Sequence, residues 1–201
     1  MKVGIDLDNT LICYDQAFER VGKEEGLLPA SFSGNKAAVK RALLAKREDG
    51  YLWESLQGLV YGRRIDAANL FDGVTGFLEA CRARGDTVTI VSHKTELAHH
   101  DPQMTDLRAA ALRWMEGNGF FDAAGLGIGR GSVYFEGTRD DKVRRIGALE
   151  CDVFVDDLAE VLGHAGMPAT CRKILFGSDP QSEFEQYASW DQVRDALFRA
   201  G

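Results

Sequence analysis

Hydrophobic and polar positions along this chain sort into short alternating runs and longer helical patterns. At residues 2–7, Val3, Ile5 and Leu7 alternate with Gly4 and Asp6, and branched side chains at every second position favour a strand. Four more runs read the same way, at 87–91, 132–135, 152–155 and 172–176. Helical patterns lie between them. Residues 74–84 carry apolar side chains at 74, 77, 78 and 81, with Gly85 as a stop. Residues 105–116 are rich in Ala and Leu and end at Gly117-Asn118-Gly119. Residues 139–149 follow Thr138, a candidate N-cap with Asp141 three positions on. A short pattern at 158–163 follows Asp156-Asp157, and 190–200 follows Ser189, with Gln192 completing a capping-box pattern. Strand and helix in alternation predict an α/β fold built on a doubly wound parallel sheet.

Residues 13–70 break the alternation, because no strand pattern occurs there. Helices are expected at 14–26 and 36–46 and between 52 and 61, with Leu28-Pro29 and Ser31-Phe32-Ser33-Gly34 separating the first two. This is too long for an ordinary crossover. The expected organisation is a core made of 1–12 and 71–201 with a small helical insertion, 13–70, over the sheet edge. A helical layer packed on the sheet face is the alternative.

Composition narrows the class. The 201 residues suit one domain carrying an insertion. With 45% hydrophobic and 27% charged residues the chain is an ordinary globule rather than a disordered one. No apolar run has the length of a membrane span, and the N-terminus runs straight into the first strand without a signal-peptide pattern. Cys13, Cys81, Cys151 and Cys171 are scattered and fit reduced, mostly buried thiols in a cytoplasmic protein. A net charge of −7 argues against a nucleic-acid polymer as partner. It also means that an anionic substrate needs a local cation. The pattern assigns no oligomeric state.

The chemistry-bearing residues cluster at strand ends. Asp6 and Asp8 close the first run, where Asp and Asn also suit a simple turn. Ser92, His93 and Lys94 follow the run at 87–91, Asp156 and Asp157 follow the one at 152–155, and Lys142 lies in the first turn of the helix before it. A parallel sheet projects its strand ends to one side, so these residues can converge.

Asp6-Leu7-Asp8-Asn9-Thr10, Ser92, Lys142 and Val155-Asp156-Asp157, in that order, resemble the four-motif signature of the haloacid dehalogenase-like (HAD) hydrolase superfamily. A lone Asp-x-Asp says little; four motifs in order, each at a strand end or helix start, are specific. The resemblance implies a Rossmann-like sheet of order 5-4-1-2-3 and the phosphatase branch, with a helical (C1-type) cap at 13–70; the insertion is expected to open and close by hinging near 12–14 and 66–72. It implies a Mg²⁺ site made by Asp6, the backbone carbonyl of Asp8, Asp156 and, directly or through water, Asp157. Asp6 would be the nucleophile and Asp8 the acid and base. Ser92 and Lys142 would hold the phosphoryl group, the lysine also restraining Asp6 in its ionised form.

The chemistry asks for such residues. An anionic ester repels an anionic nucleophile until charge is neutralised, and Mg²⁺ takes oxygen ligands. A proton donor such as Asp8 helps an alkoxide leave but does nothing for a halide, so a small soluble phosphate ester is expected rather than a haloacid. Phosphomutase or phosphotransferase chemistry on the same residues is an alternative, as is a non-catalytic phosphate-binding module of this fold. Thr10, His93 and Lys94 are the candidate substrate contacts, although Thr10 suits a brace for the loop better. Several other residues carry weaker signals. His99 and His100 lack a second ligand cluster. Tyr51, Trp53 and Tyr61 suit the core of the insertion. Arg63 and Arg64 suit solvated charges. Gly125-Leu126-Gly127-Ile128-Gly129 precedes a strand rather than linking strand to helix, and so fails as a dinucleotide loop.

Overall fold

Val3 and Ile5 are fully buried within β1 (Lys2–Ile5), the strand around which the sheet is built. In the computed structural model, which describes residues 1–198, the chain then runs β2 (Ile12–Cys13), α1 (Asp15–Glu24), α2 (Lys36–Lys46), α3 (Tyr51–Tyr61), β3 (Asn69–Leu70), α4 (Val74–Arg84), β4 (Thr87–His93) and α5 (Leu107–Gly117). It continues as β5 (Val133–Glu136), α6 (Arg139–Leu149), β6 (Val153–Asp156), α7 (Ala159–Leu162), β7 (Arg172–Phe176), β8 (Glu185–Tyr187) and α8 (Trp190–Phe198). The expected continuation of the last helix to Ala200 lies outside the described residues.

Six strands form one parallel sheet in the order β5-β4-β1-β6-β7-β8. The five expected strands keep the order 5-4-1-2-3, and β8 adds a sixth at the β7 edge. That strand was not anticipated, because Glu185-Gln186-Tyr187 has no apolar alternation. A second, two-stranded sheet pairs β2 with β3. β4 also runs two residues past its expected end, pairing Ser92 with Phe135 and His93 with Glu136. The ladder to β5 therefore continues after the apolar run has stopped.

The chain divides into two compact units. The first holds Met1–Ile12, Leu70–Lys94 and the residues from Gly119 onward. On one face of its sheet, Val91, Phe154 and Leu175 pack with Val143 and Ile146 of α6 and Val161 and Leu162 of α7. Gly4 is required on that face, because a Cβ there would stand 2.5 Å from the Phe154 ring. Phe176 points the opposite way from Leu175 and stacks on Trp190 of α8, 5.2 Å between ring centres, and Trp190 meets Phe77 of α4 at 4.7 Å. Buried Trp190 also donates from Nε1 to the Thr10 carbonyl at 2.9 Å. Trp190→Ala is expected to lower unfolding free energy by about 3–5 kcal/mol, read by denaturant titration.

The second unit holds Cys13–Asn69 and Thr95–Asn118, a mainly helical assembly of α1, α2, α3 and α5. Here the expected boundaries need correction, since 95–118 had been placed in the core. Long-range pairing draws it to the insertion: Trp114 Nε1 donates to the Ala68 carbonyl at 3.2 Å, and Ala98 lies against Gly58. Phe18 stacks on Trp53 at 5.0 Å and Tyr14 meets Tyr61 at 4.6 Å, so Trp53 and Tyr61 do join a core, whereas Tyr51, expected there too, is exposed and lies against His100 at 4.6 Å.

Three of the cysteines are buried and none of the four forms a disulfide. Burial pushes the Cys81 thiol up to about 12 and the Cys171 thiol up to about 11. Among the described residues, no helix is long and apolar enough to cross a membrane.

Candidate active site

The site lies at the carboxyl end of β1, where β4 and β6 flank it on either side. Strand order reverses there, which opens a crevice in folds of this kind. Asp6 extends the strand by one residue, its backbone N–H donating to the Val155 carbonyl at 2.9 Å. The chain then turns tightly. The Leu7 carbonyl accepts from Leu11 at 3.0 Å and Ile12 at 2.9 Å, and Asn9 adopts φ 60, a left-handed conformation that Asn tolerates. Asp6-Leu7-Asp8-Asn9-Thr10 is thus a tight turn, and it leaves Asp6 at the end of the strand.

Lys142 is the hub. It enters from the first turn of α6, whose N-cap Thr138 accepts from Asp141 N–H at 3.1 Å. Its Nζ lies 2.5 Å from Asp6 Oδ1 and 2.7 Å from Asp156 Oδ2, and all three side chains are buried. Thr10 Oγ1 donates to the other Asp6 oxygen at 3.3 Å, which is the bracing role rather than an outward one. The Leu158 N–H fixes Asp156 Oδ1 at 3.0 Å. Asp157 completes the group: one carboxylate oxygen from each of Asp6, Asp156 and Asp157 lies within 4.8 Å of the others. Among the described residues, this is the group placed to share a metal ion. Three hard oxygen donors in one cavity fit Mg²⁺.

The neighbouring strand brings the rest. Ser92 is buried, and its Oγ has no hydrogen-bond partner among the described residues. An orphan hydroxyl of this kind calls for a ligand or water acceptor. Lys94 is buried as well, its Nζ 2.7 Å from Asp8 Oδ2. His93 sits between them on the opposite side of the strand, exposed, with Nε2 3.1 Å from the Gly137 carbonyl. Of the three expected substrate contacts, His93 is therefore turned to the other side of the strand, Thr10 braces Asp6, and Lys94 pairs with Asp8.

Charge is unbalanced in this cavity. Asp6, Asp8, Asp156 and Asp157 outnumber Lys94 and Lys142 by four to two. Burial pushes the Asp6 carboxyl well above the usual carboxylate range; Lys142 opposes this, and the other three acids add to it. Burial alone would lower Lys142, but Asp6 and Asp156 outweigh it and hold the amine above the ordinary lysine range, as an ammonium. A divalent cation would restore the balance.

The weaker candidates have other duties. Arg63 pairs with Asp101 at 3.3 Å and Arg64 with Glu24. His100 meets Glu54 at 2.9 Å. The Gly125 carbonyl accepts from Arg82 at 2.7 Å, so that loop is tied to α4. The link between Lys94 and Asp8 was missed at the sequence level. Its one signal is parity, because Lys94 stands two residues beyond Ser92.

No family model matches the sequence, and no curated protein matches it. Among solved structures, the chain is similar over 98% of its length to a HAD family hydrolase from Deinococcus radiodurans R1 with bound phosphate and sodium (18% identity, 94% of that chain, TM-score 0.57). It is similar over 98% to a protein described as a predicted phosphoglycolate phosphatase from Haemophilus somnus 129pt (13% identity, 97% of that chain, TM-score 0.53). It is also similar over 98% to protein tyrosine kinase A of Mycobacterium tuberculosis (15% identity, 97% of that chain, TM-score 0.55). The chain has the Rossmann-like α/β fold of these structures.

Proposed function

We propose that this chain is a HAD-type phosphatase that hydrolyses a small-molecule phosphomonoester with Mg²⁺ as cofactor. The observation that carries this reading is the buried Lys142 ammonium gripping Asp6 and Asp156 beside Asp157. Such an arrangement pairs a restrained nucleophile with a cation site. Asp6, Asp156 and Asp157, with the Asp8 carbonyl, would hold Mg²⁺, which when bound would supply the positive charge that lets an anionic ester approach a carboxylate.

Asp6 attacks phosphorus, forming an aspartyl-phosphate as the bond to the ester oxygen breaks. The Asp8 carboxyl gives its proton to that leaving oxygen. Water then attacks the phosphorus, surrendering a proton to Asp8, and the bond to Asp6 breaks to release inorganic phosphate. Lys142 stabilises the charge on the transferring group, and Ser92 donates its hydroxyl to a phosphoryl oxygen. The helical unit, with the expected insertion at 13–70 as its larger part, is taken as the substrate-selecting cap. The reduced, buried thiols fit a cytoplasmic setting.

A panel of phosphate esters assayed with Mg²⁺ and with a chelator tests the proposal. Turnover should require Mg²⁺, vanish with EDTA and return when Mg²⁺ is restored. Failure to hydrolyse any ester with Mg²⁺ present, or hydrolysis indifferent to the chelator, would overturn it. The metal should also stabilise the fold by mass action. At a hundredfold excess over Kd the gain is about 2.7 kcal/mol, a rise of roughly 5–10 °C in Tm by thermal denaturation.

A further inference from the structure

The buried ammonium of Lys94 has no part in the steps above. Its side chain is 2% exposed, and its Nζ lies 2.7 Å from Asp8 Oδ2 in a carboxylate 15% exposed. The backbone holds it there, since the Lys94 N–H donates to the Glu136 carbonyl at 3.0 Å and so continues the ladder from β4 to β5. Lys94 shares a side of the chain with Ser92, two residues back, so a group facing the phosphoryl site and a group facing Asp8 come from one rigid edge. Burying a long cationic side chain costs desolvation and rotamer freedom. A partly exposed Asp8 does not need that partner for solvation. What the lysine supplies is a fixed orientation of the Asp8 carboxyl group.

We propose that Lys94 is a positioning residue that aims the Asp8 carboxyl group at the leaving-group oxygen. The inference rests on the reading of Asp6 as nucleophile and Asp8 as acid. Acid–base assistance is worth about 10²–10⁴ in rate, and misplacement by about 1 Å can forfeit some 10² of it. The loss scales with the basicity of the leaving group. An alkoxide needs the proton as the P–O bond breaks, whereas a nitrophenolate departs without it.

The test compares an alkyl phosphate with p-nitrophenyl phosphate at saturating Mg²⁺, in Lys94→Met, Lys94→Arg, Asp8→Asn and the Lys94→Met/Asp8→Asn double variant. Lys94→Met should lower kcat on the alkyl ester by about 10–10²-fold and barely change kcat on the nitrophenyl ester or KM on either. Lys94→Arg, which keeps a buried cation but shifts its donors, should recover part of the loss. The double variant should be no worse than Asp8→Asn alone. Equal losses on both esters, or a rise in KM with kcat intact, would overturn the positioning role. If Lys94→Met does not fold, Lys94→Arg carries the same comparison. A leaving-group effect in Asp8→Asn that is absent from both Lys94 variants removes the role of Lys94 alone. An active Asp6→Asn enzyme removes the underlying reading, and this one with it.

Discussion

An Asp6→Asn protein is expected to fold as the wild type does and to turn over no phosphate ester. The amide has nearly the same shape: its carbonyl oxygen can still accept from Lys142, 2.5 Å from Asp6 Oδ1, and its NH2 group, in place of the oxygen that Thr10 reaches at 3.3 Å, can donate to the Thr10 hydroxyl. What disappears is the nucleophile. Removing the attacking group from a catalytic set that acts as a unit typically costs on the order of 10⁶ in rate, so an aryl phosphate assay should fall to background. Stability should move the other way. Burial and three neighbouring acids already penalise the Asp6 carboxylate, and a neutral side chain relieves that crowding. A Tm equal to or above that of the metal-free wild type, with no measurable turnover, is the expected pair of results. Residual activity in a pure preparation would sink the nucleophile assignment. A collapsed Tm would show instead that the charge of Asp6 holds the fold.

That opposition between stability and chemistry bears on what the sequence could reveal. The strands around the site were legible because β1, β4, β6 and β7 each bury apolar runs, and a buried parallel strand must be written that way. α6 was legible through Thr138 and Asp141, whose hydrogen bonds are local. β8 was not, because an edge strand with one neighbour can be as polar as Glu185-Gln186-Tyr187. The helical unit was legible only in part. Its share from 95–118 joins through tertiary pairs such as Trp114 with the Ala68 carbonyl, 46 residues away, and no local pattern records such a partner. The acids could be named from their places at strand ends, and the cluster of Asp6, Asp156 and Asp157 followed from the fold. The pairing of Lys94 with Asp8 spans 86 positions and depends on β4 extending to His93. The apolar pattern, which stops at Val91, gave no sign of that extension.

Lys142→Met should lose both properties that Asp6→Asn separates. Methionine fills much of the lysine's volume, so the change tests charge rather than packing. It leaves Asp6 and Asp156, both buried, without the cation that sits 2.5 and 2.7 Å from them. Breaking a buried pair by removing one partner costs about 3–5 kcal/mol, because the remaining charge stays desolvated. Here two carboxylates are abandoned at once, so the upper end of that range is expected. In a chain of this length it corresponds to a fall of roughly 10–20 °C in Tm, a large share of a typical stability of about 5–15 kcal/mol. Turnover should fall as well, since the transferring phosphoryl group loses its fixed positive charge. Mg²⁺ supplies the means of distinguishing charge from shape. A divalent cation shared by Asp6, Asp156 and Asp157 partly replaces the missing ammonium, so added Mg²⁺ should raise the Tm of Lys142→Met by more than it raises that of the wild type. It should not restore turnover to the same degree, because the cation cannot occupy the lysine's place against the phosphoryl group. Equal Mg²⁺ shifts in both proteins would mean that Lys142 and the metal do not answer to the same carboxylates.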